Sequence, residues 1–272
     1  MELHNVSFSY QTKKPLIEAL SGEIKKNKIT TIVGPNGSGK STMLAMLARQ
    51  LAPSRGEILF NGKKLVHFKG KELAQQLAVV YQKNEAPLNL SVRKLVSYGR
   101  HPYWTMIRSW TSEDERAVDE ALSVTRLTHY ANVSVDSLSG GEQQRVWLAL
   151  ALAQETDVIL LDEPTTYLDL YHQFEILERV RLLNQSKAKT VVMVLHDLNQ
   201  ALQYSDDVWV MKAGRLVAKG SAAEVLTSAC IRSVFQIETI IHSNEQSGSV
   251  LVPIGTATGA LVNGGEACEV GK

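Results

Sequence analysis

The stretch Gly34-Pro35-Asn36-Gly37-Ser38-Gly39-Lys40-Ser41-Thr42 decides how this chain is read. It fills every fixed position of G-x-x-x-x-G-K-[ST], a loop that wraps phosphate. Its flanks have the right character. Ile29-Thr30-Thr31-Ile32-Val33 is an apolar, β-branched run of strand length, and residues 41–48 carry apolar side chains at helical spacing. Strand, glycine turn and helix start together aim backbone N–H groups at one point, where the helix dipole adds partial positive charge. Gly37 and Gly39 let the backbone close round an anion. Lys40 is placed to contact the β- and γ-phosphates, and Ser41 to set its hydroxyl on Mg²⁺. A glycine turn that matched by chance would not have both flanks. A nucleoside triphosphate is the expected ligand.

Composition narrows the classes of function. A chain of 272 residues holds one large domain or two small ones, and 44% hydrophobic with 21% charged residues is ordinary for a soluble globular protein. The formal net charge of +1 leaves no basic excess, so nucleic acid is not an expected partner. Cys230 and Cys268 are the only cysteines, which excludes a disulfide framework or a cysteine zinc site and suits a reducing compartment. Met1-Glu2-Leu3-His4-Asn5 does not open a signal peptide, and the longest apolar run, 146–153, is far short of a membrane span. The expectation is a cytoplasmic chain that another chain anchors if it works at a membrane.

Working outward from the loop, residues 2–33 alternate in the manner of antiparallel strands. Residues 57–60 form a strand closed by the hairpin pair Asn61-Gly62, and 77–81 an apolar strand ending at Gln82. Strand signals then give way to helical spacing at 91–98 and 112–127, the latter opening on a capping box of Ser112 and Glu115. Residues 83–137 are therefore expected to be a helical subdomain inserted in an α/β body. A helix through Ala153, a buried strand at 158–161, a helix at 170–183 and a strand at 190–195 follow. A hairpin at 207–212 and 215–219 around Ala213-Gly214, helical spacing over 221–236 and two edge strands in 237–253 complete the reading. The domain is expected to span 1–254, and 255–272 to be a flexible tail.

Two further stretches carry chemistry. Val158-Ile159-Leu160-Leu161-Asp162-Glu163 is an apolar strand ending in two carboxylates. Beside the strand that feeds the loop, Asp162 would reach Mg²⁺ and Glu163 would polarise an attacking water. Leu138-Ser139-Gly140-Gly141-Glu142 places a serine and two glycines at a helix start, a second ready-made anion site. One nucleotide does not need two phosphate cradles from one chain. Two copies facing each other do.

With these motifs the sequence resembles the ATP-binding subunits of ABC transporters, from about residue 2 to 254. The resemblance implies an α/β fold: a P-loop NTPase core with an N-terminal antiparallel β subdomain and an inserted α-helical subdomain. It implies ATP and Mg²⁺ as cofactors, with Tyr10 stacking on adenine and residues 34–42 holding the phosphates. Ser139, Gly140, Gly141 and Glu142 correspond to the signature that completes the partner's site. Gln82 resembles the Q-loop glutamine, which touches Mg²⁺ or the lytic water. Tyr167-Leu168-Asp169 resembles the D-loop, and His196 the switch histidine on the γ-phosphate. The implied metal contacts are Ser41, Gln82 and Asp162, and the implied catalytic groups are Glu163, His196, Lys40 and Gln82.

Tyr98-Gly99-Arg100-His101-Pro102-Tyr103 and Glu163-Pro164-Thr165-Thr166-Tyr167-Leu168-Asp169 resemble more narrowly the ATPases of ferric-siderophore importers, relatives of those for haem and vitamin B12. The partners so implied are a second copy of the chain, integral-membrane permease subunits and, indirectly, a substrate-binding lipoprotein. The implied place is the cytoplasmic face of the cell membrane. A ribosome- or DNA-acting ABC ATPase would carry a second cassette or a long heptad run, and this chain has neither. A sensor without turnover would lack a catalytic group, and all are present.

Overall fold

The structure, a computed structural model, describes residues 1–10, 15–84, 86–105, 108–244 and 248–257. The chain begins with β1 (Glu2–Phe8), β2 (Ile17–Glu23), β3 (Ile29–Val33), α1 (Lys40–Leu47), β4 (Arg55–Phe60), β5 (Lys63–Lys64) and α2 (Gly70–Ala74). β6 (Leu77–Val80), α3 (Val92–Ser97), a 3₁₀ turn at Tyr98–Tyr103, α4 (Ser112–Val124) and α5 (Gly140–Ala153) come next. Then follow β7 (Val158–Asp162), α6 (Leu170–Lys187), β8 (Thr190–Val194), α7 (Leu198–Tyr204), β9 (Asp207–Lys212) and β10 (Arg215–Gly220). The last described elements are α8 (Ala222–Val225), α9 (Ser228–Phe235), β11 (Ile237–Asn244) and β12 (Gly248–Thr256). These elements fall into two compact units, Met1–Val66 with Val192–Lys272, and His67–Val191.

The first unit contains an antiparallel sheet of order β2-β1-β4-β5. Asn61 at φ 50° and Gly62 at φ 75° make the tight turn between β4 and β5, since both central positions of such a turn need positive φ. β3 does not continue this sheet, contrary to the antiparallel reading of residues 29–33. It pairs in parallel with β9, Thr30 opposite Asp207 and Val33 opposite Val210, in the order β10-β9-β3-β8. All five residues of β3 are buried, the mark of a strand covered on both faces, so there is no alternation to read. The stretch 221–236 is helical as expected and is divided into α8 and α9, because Ser221 and Thr227 each cap a fresh start. β11 and β12 form a separate hairpin whose inner residue Leu251 is held by Asn199 of α7, which donates to its carbonyl at 3.0 Å and accepts from its N–H at 2.8 Å. The tail expected from 255 lies outside the described residues beyond Ala257.

In the second unit β6 and β7 run parallel, Leu77 opposite Val158 and Val80 opposite Leu161. Beyond β6 the chain is helical. Val92, Leu95 and Val96 of α3, Val118, Ala121 and Leu122 of α4, and Val146, Ala149 and Ala153 of α5 form one apolar core. The cap of α4 is Thr111 with Asp114, one residue earlier than the expected Ser112 and Glu115. Burial explains the shift. Asp114 is fully buried, accepts from the Thr111 hydroxyl at 2.9 Å and from Arg100 Nε at 2.9 Å, whereas Glu115 turns outward to Arg93 and Trp110. Among the described residues no helix is long and apolar enough to cross a membrane.

Candidate functional site

In the first unit, buried β3 delivers the chain into the phosphate loop. A Cβ at Gly34 would lie 2.2 Å from the Met211 carbonyl oxygen, so only glycine lets the loop leave the sheet here. Gly39, at φ 100°, is the N-cap of α1, and no side chain caps that helix. The first-turn amides of a helix have no acceptor within it, so an uncapped start is suited to an anion. Lys40 is buried at 5% exposure, and its Nζ donates to the Gly34 and Pro35 carbonyls at 2.9 and 3.2 Å. The ammonium thus lies over its own loop. Gly214 N–H donates to the Ser38 carbonyl at 3.0 Å, tying the loop to the turn between β9 and β10. Ser38 Oγ is buried with no hydrogen-bond partner, which costs about 1–3 kcal/mol unless something completes it. The uncapped helix, buried lysine and unsatisfied hydroxyl fit a phosphate chain.

Asn36, Gly37 and Ser41 are exposed at the loop's rim, while Thr42 is buried behind it. Tyr10, just past β1, is 66% exposed, with its ring edge-on to Phe8 at 4.8 Å, so one face can take another ring. His196 is exposed just after β8. Leu195 N–H donates to the Ile32 carbonyl at 3.2 Å, so the end of β8 lies beside the end of β3. The first unit therefore gathers the loop and His196 at the carboxyl ends of adjacent strands, where α/β sheets bind ligands.

In the second unit the register of β6 on β7 sets Gln82 beside Glu163, because Val80 pairs with Leu161 and each glutamine or glutamate follows two positions on. Gln82 Nε2 donates to Glu163 Oε2 at 2.5 Å. The Thr166 hydroxyl donates to the same oxygen at 3.0 Å, and its N–H donates to the Glu163 carbonyl at 3.2 Å. Glu163 itself takes φ 50°, turning the chain sharply after the strand. Thr166 was not among the expected site residues. The signal for it is a hydroxyl three positions after a carboxylate in a turn. Asp162, half-buried, ends β7. Among the described residues no group of three or more His, Cys, Asp or Glu could hold a metal ion. A Mg²⁺ here would be shared with phosphates and water, as Mg²⁺ usually is.

Ser139 caps α5 and Glu142 reaches back to it. Glu142 Oε2 accepts from the Ser139 N–H at 2.8 Å and from its hydroxyl at 2.7 Å. With the Tyr130 hydroxyl also donating, these bonds hold the Glu142 carboxyl down at about 2, the Ser139 hydroxyl contributing most. Around Gly140 a Cβ would meet nothing within 4 Å, but at Gly141 it would lie 2.6 Å from the His172 ring. Asp169 caps α6, accepting from His172 N–H at 2.9 Å and meeting His172 Nδ1 at 2.7 Å. The His172 backbone N–H, then its ring, hold the Asp169 carboxyl below the usual range.

The family model described as "ABC transporter" matches residues 17–166. This chain belongs to the ABC transporter family. It is 44% identical over 236 residues to the probable siderophore transport system ATP-binding protein YusV of Bacillus subtilis, covering 87% of this chain and 86% of YusV. It is 40% identical over 252 residues to the ferric enterobactin transport ATP-binding protein FepC of Escherichia coli, covering 92% and 93%. Among solved structures, the dimeric post-hydrolysis cassette MJ0796 bound to ADP and Pi superposes with a TM-score of 0.71 at 29% identity, covering 81% of this chain and 98% of that one. The expected α/β fold of the ABC ATPases stands, and the chain is an ATP-hydrolysing cassette.

Proposed function

We propose that this chain is the ATPase of an importer for ferric siderophores, working as a pair of copies beneath integral-membrane permease subunits at the cytoplasmic face of the membrane. One observation carries the paired arrangement. The chain owns two helix starts of anion-binding type, at Gly39 and at Ser139, one in each compact unit. In the pair, each phosphate loop would be completed by Ser139, Gly140, Gly141 and Glu142 of the other copy, with Asp169 signalling between them. The siderophore cargo is supported by the names of YusV and FepC and by the resemblance of residues 98–103 and 163–169 to the ATPases of such importers.

The chemistry follows from the residues. Tyr10 stacks on adenine, and residues 34–42 hold the phosphates, Lys40 neutralising the transferring group. Ser41, Asp162 and Gln82 would hold Mg²⁺, which would supply further positive charge to the phosphate oxygens. Glu163 takes a proton from the water that attacks the γ-phosphorus, the bond to the bridging oxygen breaks, and ADP leaves with that electron pair. His196 steadies the γ-phosphate. Phosphoryl transfer needs mainly positioning and charge, so removing the base costs roughly 10²–10³ in rate or more.

The experiment is Glu163→Gln, which keeps Gln82 and Thr166 supplied with an acceptor. It is expected to bind ATP, to lose hydrolysis, and to elute as a nucleotide-bound dimer in size-exclusion chromatography. Wild-type turnover in that variant refutes the base; a monomer at saturating ATP refutes the pair. For the cargo, cells lacking the gene are expected to fail on a ferric siderophore as sole iron source while growing on ferrous salts.

A further inference from the structure

We infer that His172 is a positioning residue that couples the signature turn of α5 to Asp169, so that the two surfaces offered to the second copy move as one. The inference deepens the proposed function and rests on its paired arrangement. Neither part of His172 is idle. Its imidazole lies against Gly141 so closely that a Cβ there would fall 2.6 Å from ring carbons Cγ and Cδ2. Its Nδ1 meets Asp169 Oδ1 at 2.7 Å, and its backbone N–H reaches the same oxygen at 2.9 Å. An ionised carboxylate only accepts, so Nδ1 carries the proton of this bond and the tautomer is set.

The ring therefore bridges two segments that are far apart in sequence but both at helix starts. Asp169 is the cap of α6 and Ser139 the cap of α5, so a shift of either cap is transmitted through a short, stiff ring. The side chain is about a quarter exposed, at 26%, and Asp169 is largely exposed at 67%. The carboxylate can thus face an incoming partner while its orientation is held from behind. Glycine at 141 is explained by the same contact. Any side chain there would displace the imidazole and unfasten Asp169.

The test uses the hydrolysis-dead Glu163→Gln background, in which ATP-driven dimer formation is measured by analytical ultracentrifugation across an ATP titration. Adding His172→Ala is expected to raise the ATP needed for half-dimerisation roughly tenfold, a typical size for a coupling between sites. Nucleotide affinity of the monomer, read with a fluorescent ATP analogue at protein concentrations too low for pairing, should not change. His172→Asn, which restores an N–H toward Asp169, should recover part of the loss, and Gly141→Ala should reproduce it. Dimerisation of the double variant at unchanged ATP overturns the coupling. If Glu163→Gln alone stays monomeric, the paired reading has failed instead, and the two failures are told apart. Circular dichroism and thermal unfolding identify a variant that merely misfolds; rescue by His172→Asn then decides.

Discussion

The helix after the phosphate loop and the helix after Leu138 both begin on glycine-bearing turns, and they are finished in opposite ways. α1 starts at a left-handed glycine with no side-chain cap, and its neighbourhood includes a buried lysine and a buried, unsatisfied serine hydroxyl. α5 starts with a complete capping box, and a carboxylate of the chain itself, Glu142, occupies the positive end of the helix. The first start is built for a resident anion and leaves the dipole to it. The second is self-satisfied, so in the proposed pair a phosphate brought by the other copy would have to draw the Ser139 hydroxyl away from Glu142 before it gained a donor. That asymmetry is what the proposed sharing of a motif across two copies would need: stable when alone, available when met.

The largest effect that can break the comparison comes from adding one methyl group to each turn. Gly34→Ala places a Cβ 2.2 Å from a backbone oxygen, which side-chain motion cannot relieve. It is expected to cost about 2–4 kcal/mol of stability and to abolish ATP binding. Gly140→Ala meets nothing within 4 Å, and a helix start prefers alanine to glycine if anything, so stability should stay within about 1 kcal/mol. Urea unfolding and binding of a fluorescent nucleotide check both. Equal losses in the two variants would erase the distinction between a resident and a guest site.

How far the sequence revealed these regions depended on whether a residue's role is local. The phosphate loop, the Asn61-Gly62 turn and the hairpin about Ala213-Gly214 were legible because their signals sit within a few consecutive residues. The partners of β3 are not legible in its own residues. Its five buried residues carry no period, and only the distant strand β9 tells which sheet it joins. The cap of α4 slipped by one because Asp114 is fixed by Arg100, fourteen residues away, rather than by propensity. Among the proposed site groups, Glu163 is suggested by the strand that precedes it, and Gln82 only by family resemblance. Thr166 and His172 carry no such signal, since the roles proposed for them lie in which oxygen or ring they touch, and composition does not encode that.

A smaller effect sharpens the contrast from the chemical side. In the second unit the Glu163 carboxylate is held by two side-chain donors, Gln82 and Thr166, on one oxygen. Thr166→Val keeps the shape and removes the donor. It is expected to lower kcat about 3- to 10-fold with KM for ATP nearly unchanged, as loss of one neutral hydrogen bond to a charged group implies. Thr166→Ser should restore the rate. Steady-state phosphate release measures both. A change in KM alone would place Thr166 in ground-state binding and detach it from the base.

The smallest effect concerns the charge at α5. Glu142→Gln retains an acceptor for the Ser139 N–H and hydroxyl but removes the negative charge from the positive helix end. The side chain is partly exposed, so the expected loss at pH 7 is only about 0.5–1 kcal/mol. Its pH dependence has a definite sign. The folded state holds Glu142 at about 2 against an ordinary 4.5, so the charge stabilises the fold fully above 4.5. That contribution fades as pH falls from 4.5 toward 2, and the gap between wild type and variant should close over this window. Urea titrations stepped down through the acid range would measure it. A gap that stays constant there would mean that the hydrogen bonds alone finish the helix, and that Glu142 is no surrogate for the phosphate.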